Sequence, residues 1–372
     1  MSAFVARPVA AIAALKAYDP GHDLPALRQR FAAGALTELG SNENPLGPAR
    51  AVLDALHGMP VAELLRYPDP MGLGLRRDLA SSLGVDPAQV VLGNGSHELL
   101  MLLAQCFAGP GDEVVFSEFG FAVYSIGTAA VGATPRRVGA HPRTGAAPRG
   151  HDLGALAAAI GPRTRLVYLA NPNNPTGTWF SRAKLSEFLR AVDPGVPVVV
   201  DEAYHEYVDD PEVGNAVALL PAHPNLIVTR TFSKGYALAG LRVGYAVADP
   251  SVIEVVNRLR ESFNVNALGL ALARLALKDN QHLARVREFN RTQRSRMAHA
   301  FEQRGLFVHP SMTNFILVDF ERPAAAIEAA WLECGVVVRP MGGYGLPTCL
   351  RISIGSEAEN RRLIETLDAV LA

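Results

Sequence analysis

The stretch Pro197-Val198-Val199-Val200-Asp201-Glu202-Ala203-Tyr204 is an unbroken valine run that ends on a carboxylate. Consecutive β-branched residues without polar alternation fit a strand covered on both faces, as in parallel sheets flanked by helices. Runs of the same kind recur on either side, at 90–92, 113–116, 134–138, 165–170, 226–229 and 242–247. Helical patterns separate several of them, at 96–107, 152–160 and 181–192. The alternation predicts an α/β fold, with a mainly parallel central sheet sandwiched by helices over residues 45–250. Beyond that point the pattern changes to long helical stretches at 251–263 and 266–305, then strand-like runs at 315–320 and 350–354. A smaller α+β domain is expected over 251–372. Residues 1–44 match neither part and read as an arm, or a piece of the small domain, that reaches another subunit.

The bulk composition narrows the function. Lys and Arg number 35 against 36 Asp and Glu, so no basic excess points to nucleic acid. No apolar run approaches the ~20 residues that span a bilayer. The apolar stretch 9–15 is interrupted too early, and lacks the cleavage pattern, for a signal peptide. Cys106, Cys334 and Cys349 have no metal-ligand spacing, and an odd count argues against a disulfide framework. Buried inert thiols and a reducing cytoplasm are expected, and no metal.

Four segments carry chemistry. In Thr231-Phe232-Ser233-Lys234-Gly235-Tyr236, continuing to Arg242, a lysine sits among small and apolar residues. Such a setting lowers its preference for the charged form and suits a Schiff base, where a bland reading has a solvated charge. Ser233 and Arg242 could then hold a phosphate. Asp201 emerges from a very apolar strand, where an unpaired charge is costly. A protonated pyridine nitrogen, as in pyridoxal phosphate, is one partner; a plain helix cap is the competing reading. Asn171-Pro172-Asn173-Asn174-Pro175-Thr176-Gly177 forms a rigid turn at a strand's carboxyl end, where open α/β sheets bind ligands. Gly93-Asn94-Gly95-Ser96-His97-Glu98 is a strand-to-helix junction with free amides, a phosphate cradle or simply a tight turn.

Taken in order, these segments resemble the class I and II aminotransferases of fold type I. Asn174 stands 27 residues before Asp201, which stands 33 before Lys234, as that family requires. Tyr18-Asp19-Pro20-Gly21, residues 40–48 (Gly-Ser-Asn-Glu-Asn-Pro-Leu-Gly-Pro), Arg66-Tyr67-Pro68-Asp69 and the stretch from Val338-Arg339 to Gly355 are similar to the histidinol-phosphate aminotransferase branch. The resemblance runs over nearly the whole chain.

It implies a pyridoxal 5′-phosphate fold-type I transferase whose Lys234 carries the cofactor and moves the substrate's Cα proton. Asp201 would pair with the ring nitrogen, and Tyr204 and Asn174 would bond its phenolic oxygen. Phe119 would stack on the ring, although a core phenylalanine is the alternative. Gly95, Ser96, His97, Ser233 and Arg242 would hold the phosphate, joined by Tyr67 from the neighbouring subunit of a homodimer. Arg339 and Arg351, with Asn44 and with Tyr18 from the partner's arm, would bind the substrate. The family often has Asp where this chain has His97. The implied reaction passes the amino group of histidinol phosphate to 2-oxoglutarate. An aromatic aminotransferase, a threonine-phosphate decarboxylase and a PLP-fold binding module without catalysis share the scaffold and remain open.

Overall fold

The computed structural model describes residues 6–13, 15, 17, 21–32, 35–61 and 65–371. In chain order its strands are β1 (Thr37–Glu38), β2 (Val90–Gly93), β3 (Glu113–Ser117), β4 (Thr134–Val138), β5 (Thr164–Ala170), β6 (Val198–Asp201) and β7 (Leu226–Thr231). These are followed by β8 (Gly244–Val247), β9 (Phe307–Val308), β10 (Phe315–Asp319), β11 (Val336–Val337), β12 (Arg339–Pro340) and β13 (Cys349–Ser353). A seven-stranded sheet has the order β2-β8-β7-β6-β5-β3-β4, and a four-stranded sheet the order β12-β13-β10-β9.

The valine run lies at the centre of the large sheet. Val198, Val199 and Val200 are all fully buried. Val198 and Val200 join one apolar cluster with Val167, Leu169 and Val228, whereas Val199 joins another with Leu166, Tyr168 and Ile227. Successive side chains point to opposite faces, so a strand with helices on both sides must be apolar at every position. Burying each valine contributes about 1.5–3 kcal/mol.

Of the seven strands only β8 is antiparallel, inserted between β2 and β7. Its first residue is Gly244 rather than the expected Arg242, because Arg242 takes the left-handed conformation, φ +55°. The expected helical stretch 266–305 is two helices, Ala267–Lys278 and Asn280–Glu302. Asp279 breaks it, its carboxylate accepting from the His282 amide at 2.8 Å as a cap for the second helix. Helices Arg50–His57, Leu73–Leu83 and Ala122–Ala130 add to those expected. β1 pairs in parallel with β11, tying residues 37–38 to the C-terminal part of the chain.

Among the described residues no helix is long and apolar enough to cross a membrane, and no His, Cys, Asp and Glu group could hold a metal. All three cysteines are free thiols. Cys349 is buried and Cys106 partly so. Cys334 is exposed, contrary to expectation, because it caps the carboxyl end of helix Ala325–Glu333.

Candidate active site

Six strands of the large sheet run in one direction, so the loops after β2, β3, β5, β6 and β7 gather along one edge. A cavity of about 220 Å³ opens there, walled by these loops and by β12 and β13. Ser96, His97, Asn174, Asp201, Tyr204, Ser233, Lys234, Arg242, Arg339 and Arg351 all line it. Strand direction gathers the lining residues from Ser96 to Arg242, and packing of the small sheet against that edge adds Arg339 and Arg351.

One part of the wall is built for an anion. Gly95 opens the 13-residue helix Gly95–Phe107, whose first amides lack intrahelical partners. Arg242 Nη1 donates to Ser233 Oγ at 3.3 Å and to the Ala239 carbonyl at 3.0 Å. Gly95 has φ +78°, and a Cβ there would lie 2.4 Å from Arg242 Nη2. Glycine is therefore what lets the guanidinium approach the helix end. His97 stands beside Arg242, and burial and that guanidinium both lower its pKa.

Lys234 lies between this cup and the small sheet. Its Nζ donates to the carbonyls of Ser41 and Asn42, each at 3.0 Å. Burial foremost, then Arg351, lowers its pKa to about 7, against the opposing pull of Glu43. Asp201 is buried at the end of β6. It accepts hydrogen bonds from the hydroxyls of Tyr124 at 3.0 Å and Thr229 at 3.1 Å. Burial raises its pKa to about 6, and no cation among the described residues offsets this. A positive group facing the carboxylate would reverse the shift.

Tyr204 packs edge-on against Phe315 and accepts a hydrogen bond from Asn42 Nδ2 at 2.9 Å. Asn174 Oδ1 accepts from Arg351 Nη1 at 2.6 Å, leaving the Asn174 amide nitrogen to donate elsewhere. Arg351 also donates to the Gly40 carbonyl at 2.8 Å. Arg339 sits directly opposite Arg351 in the β12–β13 register, and Gly21 of the same chain packs against its guanidinium. Tyr18 lies outside the described residues.

Three expected residues sit elsewhere. Phe119 is off the cavity wall: it packs with Leu317, Met341 and Tyr344, and its carbonyl accepts from Asn173 Nδ2 at 3.0 Å. A tight turn, Gly120 N–H to Ser117 carbonyl at 2.8 Å, swings it away and brings Phe121 onto the wall instead. Asn44 is also turned aside, donating to the Gly235 carbonyl at 2.9 Å and accepting from the Leu46 amide at 3.0 Å. Asn42 occupies the cavity in its stead. Tyr67 is 82% exposed and stacks on Phe263 at 4.6 Å, in a separate recess with Arg66 and Arg274. Phe121, Tyr124 and Asn42 on the wall, and Thr229 behind Asp201, are among the residues the sequence reading missed. Phe121 and Tyr124 lie close to the expected Phe119, and Asn42 lies inside the 40–48 motif.

The family model for aminotransferase class I and II matches residues 35–367. Histidinol-phosphate aminotransferase 2 of Pseudomonas aeruginosa is 47% identical, with both chains covered in full. Histidinol-phosphate aminotransferase 1 of Nitrosococcus oceani is 42% identical over 100% of this chain and 98% of its own. The histidinol-phosphate aminotransferase of Sinorhizobium meliloti, solved in complex with pyridoxal-5′-phosphate, superposes with a TM-score of 0.90. It is 32% identical, over 100% of this chain and 98% of that one.

The residues present suit that cofactor: an anion cup for its phosphate, a buried carboxylate lacking a cation, and an amine with a lowered pKa. The chain belongs to the class I and II aminotransferases, as a pyridoxal-phosphate-dependent transaminase of the histidinol-phosphate aminotransferase family.

Proposed function

We propose that this enzyme moves the amino group of histidinol phosphate to 2-oxoglutarate, yielding imidazole acetol phosphate and glutamate in cytoplasmic histidine biosynthesis. The carrying observation is the Arg339–Arg351 pair. These guanidiniums share the cavity wall in addition to Arg242, which belongs to the cofactor cup. A phosphate in one half-reaction and a carboxylate in the other need a site that accepts either, and paired arginines do so.

Gly95, Ser96, His97, Ser233 and Arg242 hold the cofactor phosphate in this reading. Asp201 balances the ring nitrogen, Tyr204 and Asn174 donate to the ring oxygen, and Phe121 covers the ring. When bound, the cofactor supplies an electron sink for the charge left at Cα. Lys234, with its pKa lowered to about 7, has a large neutral fraction at physiological pH and so the free electron pair that a proton carrier requires.

Arg339→Ala tests the substrate assignment. Charge-assisted hydrogen bonds contribute about 1.5–3 kcal/mol. Removing one should therefore cost roughly ten- to a hundred-fold in kcat/KM with histidinol phosphate. The loss should be clearly smaller with phenylalanine, whose carboxylate can rely on Arg351. An equal loss with both donors would favour an aromatic amino acid aminotransferase.

The assembly in this reading is a homodimer in which Tyr67 reaches the partner's phosphate cup. Its support is the exposed aromatic pair of Tyr67 and Phe263, stacked at 4.6 Å and 82% and 37% exposed, which is costly to leave in water. Sedimentation and activity should show a dimer at assay concentrations, with activity falling as dilution separates the chains. Full activity in a stable monomer rules the shared site out.

A further inference from the structure

Asn42 is 1% exposed and adopts the left-handed conformation, φ +56°. Each of its polar groups is engaged. Its backbone N–H donates to Ser353 Oγ at 2.8 Å, and that hydroxyl donates back to Asn42 Oδ1 at 3.0 Å. Its Nδ2 donates to the Tyr204 hydroxyl oxygen at 2.9 Å. Its carbonyl accepts from Lys234 Nζ at 3.0 Å and from Asn314 Nδ2 at 2.9 Å. Ser353 closes β13 and Asn314 immediately precedes β10, so the small sheet fixes an asparagine that touches both Lys234 and Tyr204. A side chain in left-handed backbone costs energy and persists where its surroundings over-determine it. A residue that only shaped a turn would not need its amide aimed at a buried hydroxyl in the cavity.

Resting on the roles given to Lys234 and Tyr204 above, we propose that Asn42 is a positioning residue. It polarises the Tyr204 hydroxyl toward the cofactor's ring oxygen and seats the Lys234 amine whenever that amine is unbonded. A hydroxyl that accepts a hydrogen bond becomes a stronger donor through its own proton. Tyr204 then draws charge from the ring oxygen and lowers the proton affinity of the nitrogen conjugated with it. The Ser41 and Asn42 carbonyls keep the released amine beside the reacting centre rather than letting its long stem rotate away.

Asn42→Gly retains the backbone conformation and removes the side-chain bonds. In the holoenzyme, the pH midpoint of the visible absorption band should rise by roughly half to one unit, the worth of one hydrogen bond. kcat should fall roughly tenfold while KM stays within about twofold. Tyr204→Phe should raise the midpoint as well. The double variant should go no further than Tyr204→Phe alone, since Asn42 acts through that hydroxyl. Ser353→Ala frees the Asn42 side chain and should shift the midpoint the same way by less; it carries the test if Asn42→Gly does not fold. An unmoved midpoint in the folded variants, or additive shifts in the double variant, overturns the proposal. A Tyr204→Phe enzyme with an unmoved midpoint instead overturns the role of Tyr204 on which it rests.

Discussion

Lys234→Ala is expected to eliminate the visible absorption band of the bound cofactor and to leave no multiple-turnover transamination. Among the described residues Lys234 is the only lysine on the cavity wall. On the proposed roles the variant loses both the covalent anchor and the proton carrier, and proton transfer by a placed side chain alone is worth about 10²–10⁴-fold. A loss of at least ~10⁴-fold is therefore expected. Turnover near the native rate, with the band intact, would remove the basis for the whole assignment.

The same lysine sets a pH dependence. Its neutral form is the nucleophile, and with a pKa of about 7 that form grows in as pH rises through neutrality. Cofactor capture by the apoenzyme should rise with pH and be half-maximal near 7. An ordinary lysine, with a pKa of about 10.4, would put the midpoint more than three units higher. Stopped-flow capture rates between pH 5.5 and 9.5 distinguish the two. Because Arg351 is the next cause of the lowered pKa after burial, Arg351→Ala should move the midpoint upward.

Asp201→Asn should bind cofactor but lose roughly 10²–10³-fold in kcat, the scale of one preorganised electrostatic contact in a dry site. The phosphate cup is untouched by the change. The helix-cap reading has little room, since the turn His205–Tyr207 has Tyr204 at its cap position. Stability gives an independent check. The folded pKa of Asp201 is raised from 3.8 to about 6, so its charged form is disfavoured by folding. Its contribution to stability is lost as pH rises through that window, and at pH 7 the carboxylate costs stability in the apoenzyme. Apo Asp201→Asn should thus melt no lower than the native apoenzyme at pH 7–8. A fast variant, or one that melts earlier, would contradict the ring-nitrogen role.

Much of this site was legible in the sequence because its main residues are fixed locally. Asp201 closes an apolar strand, Lys234 follows the next one, and Gly95 opens a helix straight after β2. Each is placed by the element that precedes it. What was not legible depends on distant or fine geometry. The choice of Phe121 over Phe119 turns on one hydrogen bond across Gly120. Asn42 owes its place to Tyr204 and Ser353, 162 and 311 residues away. The reversed direction of β8 leaves no trace in its apolar pattern, since strands buried on both faces look alike whichever way they run. The break at Asp279 is a single capping residue inside an otherwise continuous helical pattern.

That reversed strand has a consequence for how the enzyme fails. β7 and β8 are joined by the loop 232–243, so Lys234 and Arg242 ride on one hairpin. The spacing between amine and phosphate cup is set by short-range connectivity. Arg339 and Arg351 belong to the other sheet, and their distance from the hairpin is set by packing between sheets. Partial opening therefore carries away the two arginines proposed to grip the substrate, while the cofactor stays moored. Under mild heat or denaturant such a protein should fall idle while it is still yellow and turn colourless only later, a sequence of losses written in the direction of one strand.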